Sequence, residues 1–384
     1  MLSYTDEHRG DTLCSDQPLV AVVIPAFNAS TYIERTLRSA MRQTYAALEI
    51  IVVNDGSTDD TAKLVEQIAM SDSRIRLLST PNRGVAAARN TGIEASSGRF
   101  VAFLDADDLW HPTKIEKQVS ALTRLSSHWA AVYTLHYIIN EDDEIIRPGS
   151  SDVARGYIYA RHLNVKYIGN GSALLVRRNA ALAIGGFDSS YAAAGIGGCE
   201  DLDFELKLAA RHFIEVVPER LVGYRKHPGS MSSDHLRMGK SALEVVRRSL
   251  AANPQLPRYA IGTAIDATRK YAFWEFQEAR RTCLSLLTLR PILRSDPRFV
   301  VRLVLQKVLR GIQHCLRLGT TTANREDQPR MKMKFDDQIP PSCLECPKET
   351  PRSRRRLMRL AAVDAKLNSS RAPSERYLMR TKVE

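Results

Sequence analysis

The stretch GRFVAFLDADDLW, residues 98–110, decides the fold. Its residues 101–104 form a short apolar run that is typical of a buried strand. The run ends in three carboxylates, Asp105, Asp107 and Asp108. Unpaired carboxylates repel one another and cost free energy to desolvate, so a buried strand seldom leads directly into them. A divalent cation removes this cost, because hard oxygen ligands at a strand end suit Mg²⁺ or Mn²⁺.

A simpler interpretation of the same residues is a solvated acidic turn, in which Asp108 caps a helix over residues 110–122. For an isolated acidic triplet that interpretation is the better one. The sequence on either side of the triplet argues against it here.

Upstream of this stretch, strand and helix signals alternate at a spacing of about 27 residues. Pro25 is expected to stop the first strand, because proline cannot donate to a sheet ladder. This order predicts an α/β fold with a Rossmann-like, mostly parallel sheet and helices on both faces. The predicted strands cover residues 19–24, 48–53 and 75–78, and the predicted helices cover residues 31–43, 61–70 and 85–95.

Polar side chains follow the predicted strands at the points where the strands end. Asn28 follows the first strand, Asp55 follows the second, and Asp105 and Asp107 follow the fourth. Ligands bind beyond the carboxyl ends of the strands in sheets of this kind. The sequence therefore predicts a ligand site at this edge.

The downstream half of the sheet carries a second acidic motif. Further strands are predicted at 133–139, 172–176 and 214–218. Between the last two, the segment GIGGCEDLDFELKLAAR places Glu200 and Asp201 in the first turn of an amphipathic helix. The alternative explanation for this acidic pair is complementarity to the helix dipole, worth only about 0.3–1 kcal/mol.

The last third of the chain is basic and helical. Residues 1–238 hold 25 Lys and Arg against 29 Asp and Glu, whereas residues 239–384 hold 30 against 14. An anionic partner is therefore expected to meet the C-terminal part. The predicted organisation is a disordered leader at 1–17, a catalytic α/β domain at 18–238, a helical region at 239–319 and a basic, disordered tail at 320–384. The predicted C-terminal helices cover 241–252, 259–276, 279–289 and 298–318.

Composition and targeting signals predict a cytoplasmic protein. The six cysteines are scattered, as expected in a reducing compartment, and the N-terminus has no apolar segment of a signal peptide. No run of about 18 apolar residues predicts a transmembrane helix. The basic amphipathic helix at 298–318 leaves open peripheral contact with an anionic membrane at the inner face of the plasma membrane.

Seven motifs, in this order, resemble the family 2 glycosyltransferases, which have the GT-A fold. The resemblance covers residues 19–235, and region 109–170 within it carries no assignable motif. The motifs are VVIPAFNA (22–29), IIVVNDGSTDDT (50–61), NRGVAAARNTGI (82–93), GRFVAFLDADD (98–108), GGFD (185–188), EDLDFELKL (200–208) and YRKH (224–227).

The resemblance implies a nucleotide-diphosphate sugar donor, a divalent Mn²⁺ or Mg²⁺ ion and an inverting displacement. Asp107 is expected to ligate the metal, with His227 as a further ligand. For His227 the alternative is a loop residue bonded to backbone. The residues that the resemblance places around the nucleotide and its diphosphate are Pro25, Ala26, Asn28, Asp55, Arg89 and Asp105.

The same resemblance assigns the catalytic base to Asp201, which would take the proton of the acceptor hydroxyl. Glu200 is expected to hold the loop or the acceptor, while Tyr224 and Arg225 shape the acceptor or phosphate side. Asp203 and Glu205 lie further along the helix and are expected to be solvated.

Two other classes of protein are weighed against a transferase of surface polysaccharide synthesis acting on a glycan or lipid-linked acceptor. A sugar-1-phosphate nucleotidyltransferase usually has a Gly- and Arg-rich loop after its first strand, whereas PAFNASTYIE contains no Gly. A non-catalytic GT-A-like binding protein would not need the intact acidic pairs. The charge of the C-terminal part permits RNA binding, but no RNA motif accompanies it, so no nucleic acid partner is expected.

Overall fold

Nine strands form one mixed sheet in the part of the chain that the computed structural model describes, residues 17–305, 309, 333–337 and 351–370. The strands are β1 (Val20–Ala26), β2 (Leu48–Asp55), β3 (Ile75–Thr80), β4 (Phe100–Phe103), β5 (Leu109–Trp110), β6 (Trp129–Ile139), β7 (Ile145–Pro148), β8 (Leu174–Arg177) and β9 (Phe213–Arg225). Their order is β3-β2-β1-β4-β8-β6-β9-β5, and β7 pairs with β6.

Helices follow most of the strands. The helices of the α/β part are α1 (Ile33–Met41), α2 (Thr61–Ala69), α3 (Val85–Ala95), α4 (Lys114–Thr123), α5 (Tyr159–His162), α6 (Arg178–Ala183), α7 (Ser190–Ala193) and α8 (Glu200–Ala209). The C-terminal helices are α9 (His235–Ala252), α10 (Arg258–Glu278), α11 (Thr282–Ser295), α12 (297–305) and α13 (Pro351–Ser369).

The predicted parallel sheet is confirmed for β1 to β4, and the downstream half is mixed. β1 pairs in parallel with both β2 and β4, while β8 runs antiparallel to β4 and β6. β9 pairs in parallel with β6 and antiparallel with β5. The carboxyl ends of β1, β2 and β4 consequently meet at one edge.

β1, β2 and β4 are nearly continuous apolar runs because helices cover both faces of the sheet there. Val22 of β1 packs in the cluster that holds α1, α2 and α4 residues, such as Leu37. Val23 points to the opposite face and packs in the cluster that holds α3 and α8 residues, such as Phe204. Successive side chains of β1 therefore point into two different cores, one on each face of the sheet.

Pro25 does not end the first strand, contrary to the prediction. β1 continues to Ala26, with Pro25 opposite Val53 of β2. On the other side of β1, pairing with β4 reaches only Val23. At Pro25, β1 therefore has no neighbouring strand on the β4 side. The N–H that proline lacks would have had no ladder partner there.

The predicted helix over residues 110–122 begins later than expected. Leu109 and Trp110 form β5 and pair with β9, and α4 begins only at Lys114. The prediction that Asp108 caps this helix, offered as the simpler alternative, is wrong because the Asp108 carboxylate bonds to other elements, described below.

The C-terminal helices share a core with the sheet. The predicted domain boundary at residue 238 falls inside α9, which begins at His235. Val245 of α9 and Ala260 of α10 are fully buried in the same cluster as Phe204 of α8. The predicted leader 1–17 and residues 306–318 of the predicted helix 298–318 lie outside the described residues, apart from Gln17 and Leu309.

The prediction of a disordered tail over 320–384 is wrong for the parts of it that are described. α13 packs on α5, where the Asp364 carboxylate accepts hydrogen bonds from Ala160 N–H (2.6 Å) and Arg161 Nε (2.8 Å). Leu360 of α13 is fully buried in the main core. Composition indicated disorder because residues 320–384 hold few aromatics and many Ser, Pro and Arg residues. An apolar stripe on one helix is nevertheless enough for packing once a partner surface exists.

Candidate active site

The loops after β1 and β2 are joined at the carboxyl edge of the sheet. Asn28, with a φ of 48°, donates its backbone N–H to Ser57 Oγ (3.0 Å). Its side-chain Oδ1 accepts from the Thr58 backbone N–H (2.8 Å). Ala26 ends β1 opposite Asn54 of β2. The predicted residues at the end of β1 therefore lie beside the second motif.

Asp55 connects the end of β2 to the loop before α3 through hydrogen bonds. It is buried, and its two carboxylate oxygens accept from the backbone N–H groups of Arg83 (2.9 Å) and Gly84 (2.8 Å). Gly56 has a φ of 72°, and a Cβ there would lie 2.8 Å from the Asn82 backbone N. The NDGS turn and the NRG loop thus pack closely enough to require glycine.

Arg89 and Asp105 form an ion pair below the edge, with Arg89 Nη2 2.5 Å from Asp105 Oδ1. The Arg89 guanidinium also stacks on the Phe187 ring at 5.1 Å. The side chain of Arg89 is 6% exposed and that of Asp105 is 26% exposed. Asp105 is therefore the more exposed member of the pair, and the predicted place of Arg89 at the diphosphate stays a prediction.

Asp107 and His227 come together from distant parts of the chain. His227 Nε2 lies 3.0 Å from Asp107 Oδ2, and both side chains are partly exposed. The His227 ring packs on Tyr32 with centroids 4.9 Å apart. Within the described ranges, no cluster of three or more His, Cys, Asp or Glu is placed to hold a metal. A carboxylate and an imidazole nevertheless suit Mn²⁺, which would take its remaining ligands from water or a bound phosphate.

Asp108, the third carboxylate of the stretch, has a structural role. Its side chain is fully buried and accepts from Ser172 Oγ (2.6 Å), Asn170 Nδ2 (3.1 Å) and the Arg225 backbone N–H (2.9 Å). Burial raises the pKa of Asp108 well above its usual value, and the neighbouring Asp107 adds to the rise. Asp108 holds the strand end in place, while Asp105 and Asp107 stay partly exposed.

Arg225 is predicted to shape the acceptor or phosphate side, and its burial excludes direct contact with a ligand. Its guanidinium is fully buried, with Nε donating to the Asp107 carbonyl (2.7 Å), Nη1 to the Asn140 carbonyl (2.6 Å) and Nη2 2.5 Å from Asp143 Oδ1. Arg225 thus supports the loop that carries Asp107. The neighbouring Tyr224 is half-buried, and burial raises its pKa.

Asp201 stands at the start of α8 and pairs with a lysine from the region without motifs. Lys166 Nζ lies 2.6 Å from Asp201 Oδ2, and the Asp201 side chain is 18% exposed. Burial by itself raises the pKa of Asp201, but the charges of Lys166 and Arg89 outweigh it and hold the pKa below its usual value. Asp201 is therefore ionised at neutral pH and able to accept a proton.

Glu200 points into the loop that precedes α8. It is buried, and its Oε2 accepts from the Gly198 backbone N–H (2.8 Å). A Cβ on Gly197 would lie 2.4 Å from Glu200 Oε1. Of the two adjacent acids, Glu200 thus anchors the loop, and Asp201 is the more accessible.

Asp203 and Glu205 are buried, contrary to the prediction that they are solvated. Asp203 Oδ1 accepts from the Tyr191 hydroxyl (3.1 Å), and Glu205 Oε2 lies 2.9 Å from His162 Nε2. A helix covered on several sides by α5, α7 and α9 has little solvated face, which sequence periodicity does not reveal.

Residues 21–182 match the family described as Glycosyl transferase family 2. This segment is a family 2 glycosyltransferase domain. The match contains the edge residues from Pro25 to Asp108, whereas Asp201 and His227 lie beyond it. It confirms the resemblance drawn from the sequence motifs.

Two curated relatives are glycan-forming enzymes. The chain is 26% identical over 312 residues to the hyaluronan synthase of Pasteurella multocida, which covers 77% of this chain and 30% of that protein. It is 41% identical over 128 residues to the UDP-Glc:alpha-D-GlcNAc-diphosphoundecaprenol beta-1,3-glucosyltransferase WfgD of Escherichia coli, which covers 33% of this chain and 49% of that protein. The matched part therefore spans less than half the length of either relative.

A solved mannosyltransferase has a similar fold. PcManGT from Pyrobaculum calidifontis, in complex with GDP-Man and Mn²⁺, superposes with a TM-score of 0.51 at 19% identity and covers 80% of this chain and 84% of that chain. This likeness confirms the GT-A fold predicted for the glycosyltransferase domain, with C-terminal helices after it.

Sequence reasoning missed three residues beside the glycosyltransferase motifs. Lys166 lies in region 109–170, and nothing in its surroundings marks it. Asn90 binds Phe187 through both side-chain atoms, at 2.8 Å to the backbone N and 2.8 Å to the carbonyl, so it joins the third motif to GGFD. Tyr271 of α10 lies near enough for the charge of Asp201 to contribute to its raised pKa, although burial is the largest cause.

Proposed function

We propose that this chain is an inverting glycosyltransferase that moves a sugar from a nucleotide-diphosphate sugar to a hydroxyl of a glycan or lipid-linked acceptor. The observation that carries the proposal is the arrangement of Asp201. It is an ionised, partly exposed carboxylate coupled electrostatically to the Arg89–Asp105 pair at the edge where ligands bind in this fold.

The donor half of the site is built from the first three motifs. Pro25, Ala26 and Asn28 form the floor beside Asp55, whose carboxylate is held by two backbone N–H groups and keeps a lone pair on each oxygen for the base edge. Asp105 would reach the ribose or the metal.

Asp107 and His227 would hold the divalent ion. A bound Mn²⁺ or Mg²⁺ would offset the negative charge that develops on the departing nucleoside diphosphate. Two buried residues position the metal ligand Asp107. Arg225 holds the loop that carries it, and Asp108 holds the end of the preceding strand.

In the transfer step, the acceptor oxygen attacks the anomeric carbon as the bond from that carbon to the phosphate oxygen breaks. Asp201 takes the acceptor proton, and the electron pair of the broken bond leaves with the nucleoside diphosphate. The Lys166 ammonium holds the carboxylate in place. A single displacement inverts the anomeric configuration.

The acceptor and the cellular role rest on the relatives. One relative is named for transfer to a diphosphoundecaprenol-linked sugar and the other for hyaluronan synthesis. We infer a role in surface polysaccharide synthesis in the cytoplasm, with peripheral membrane contact supported by exposed apolar side chains on α11 and α12, including Leu287 and Val301. In the described ranges no helix is long and apolar enough to cross a membrane.

The proposal is tested by measuring nucleoside diphosphate release from a panel of nucleotide sugars with Mn²⁺, with and without candidate acceptors. Acceptor-dependent release that is lost in Asp201→Asn and kept in Glu94→Gln, an exposed acid near the far end of α3, supports it. Binding of nucleotide sugars without release or transfer for any acceptor would favour the non-catalytic alternative.

A further inference from the structure

A cavity of about 750 Å³ lies among the C-terminal helices and shares no lining residue with the candidate active site. It is bounded by α10, the α11–α12 junction and α13. Five of its lining side chains are basic. These are Lys270, Arg302, Arg355, Arg356 and Arg359.

The carboxylates in this cavity leave most of that positive charge unbalanced. Asp296 Oδ2 lies 2.8 Å from Lys270 Nζ, and Asp266 Oδ1 accepts from Ser295 Oγ at 2.8 Å. Among the residues that the structure describes, no acid forms an ion pair with any of the four arginines.

One arginine donor is both buried and unused. Arg356 Nε is shielded from solvent and has no hydrogen-bond partner among the described residues. A buried donor left unpaired destabilises the ligand-free protein, and an acceptor that reached it would remove that cost. Arg359 stacks on Tyr259 at 5.7 Å, which holds one side of the cavity in place.

We propose that this cavity binds the phosphate headgroup of an anionic lipid. Guanidinium groups bind phosphate oxygens in a bidentate manner, and several of them converge here. Val301 and Leu305 lie one and three residues from Arg302 on α12 and are 56% and 54% exposed. They add exposed apolar surface to the helix that carries Arg302, and such surface suits the acyl chains or the membrane interface near a phosphate. Lipid binding at this specific site does not depend on the proposed sugar transfer.

The test is co-flotation of the full chain with phosphatidylcholine vesicles that contain or lack phosphatidic acid. We expect binding only with phosphatidic acid, and an affinity loss of about tenfold or more in Arg302→Ala/Arg356→Ala. Arg124→Ala/Arg247→Ala removes the same charge from exposed positions outside the cavity and should bind nearly as the wild type does. If the double variant does not fold, the same measurement is made with Arg302→Ala alone, because Arg302 is exposed.

Two outcomes would overturn the proposal. Equal losses in the cavity and control variants would show general charge attraction without a site. Inorganic phosphate that stabilises the wild type thermally but not the cavity variant, with no preference for phosphatidic acid vesicles, would assign the cavity to a free phosphate in place of a lipid.

Discussion

Lys166 Nζ and Asp201 Oδ2 lie 2.6 Å apart, so the carboxylate proposed as the catalytic base is held by an ammonium group from a segment without any recognisable motif. This pair explains how a carboxylate removed from most of its solvent keeps a pKa below its usual value. It makes the basicity of Asp201 a property of the tertiary structure.

Replacing the base should affect turnover and spare donor binding. Asp201→Asn keeps the side-chain shape but cannot accept the proton, so kcat should fall by about 10²–10⁴-fold while donor affinity changes little. Turnover and product configuration are measured together, and the product should be inverted. Retained configuration, or normal turnover in Asp201→Asn beside an inactive Glu200→Gln, would contradict the assignment.

Removing the lysine should shift the pH dependence. In Lys166→Met, the burial that raises the pKa of Asp201 remains, while the largest opposing charge is lost. The acid limb of the kcat/KM profile, where Asp201 becomes protonated as pH falls, should therefore move to higher pH. Lys117→Met is the matched control, because Lys117 is similarly exposed and pairs with Glu219 away from the site. An unmoved acid limb in Lys166→Met would separate Lys166 from the base.

The metal ligands can be tested without measuring transfer. Asp107→Ala should abolish Mn²⁺-dependent binding of a nucleotide sugar and leave the unfolding temperature within a few degrees of wild type, because the side chain is partly exposed and packs little. His227→Ala should weaken metal-dependent binding less. Isothermal titration with and without chelator distinguishes the cases. Chelator-resistant, wild-type transfer by Asp107→Ala would show that the metal assignment is wrong.

The GGFD motif offers a matched pair of stability variants. Gly185 and Gly186 both have positive φ, but a Cβ at Gly185 meets nothing within 4 Å, whereas one at Gly186 would lie 2.4 Å from Asn90 Oδ1. Gly185→Ala should cost about 1–2 kcal/mol from backbone strain. Gly186→Ala should cost about 1–3 kcal/mol more, because it also displaces Asn90. Denaturant unfolding measures both, and equal losses would mean that the Asn90 contact is unimportant.

The upstream half of the sheet and its polar edge could be predicted because local sequence carries the signal. β1, β2 and β4 are apolar runs covered on both faces, and the observed bounds of α3 agree with the predicted ones. Asn28, Asp55 and Asp105 lie where the strand ends placed them. The prediction that Pro25 ends β1 is wrong because β1 has no neighbouring strand on the β4 side at that position. The point at which β4 stops pairing with β1 depends on β4, so the sequence around Pro25 does not show it.

Long-range packing explains the other errors. Asp203 and Glu205 have the pattern of a solvated helix face but are covered by residues such as Tyr191 and His162. α13 has the composition of a disordered tail but finds a binding surface on α5, about 200 residues earlier. The free energy of these contacts comes from partners that are distant in sequence, so no local pattern records them.

The sequence by itself determined which residues can do the chemistry. The order of strands, the carboxylates at their ends and the acidic pair before α8 follow from local propensity and from the geometry of parallel sheets. Only the tertiary structure decided which carboxylate does what. It buried Asp108 and Glu200 as anchors and left Asp107 and Asp201 partly exposed, because burial, hydrogen bonding and the charges of Lys166 and Arg89 depend on distances that only folding sets.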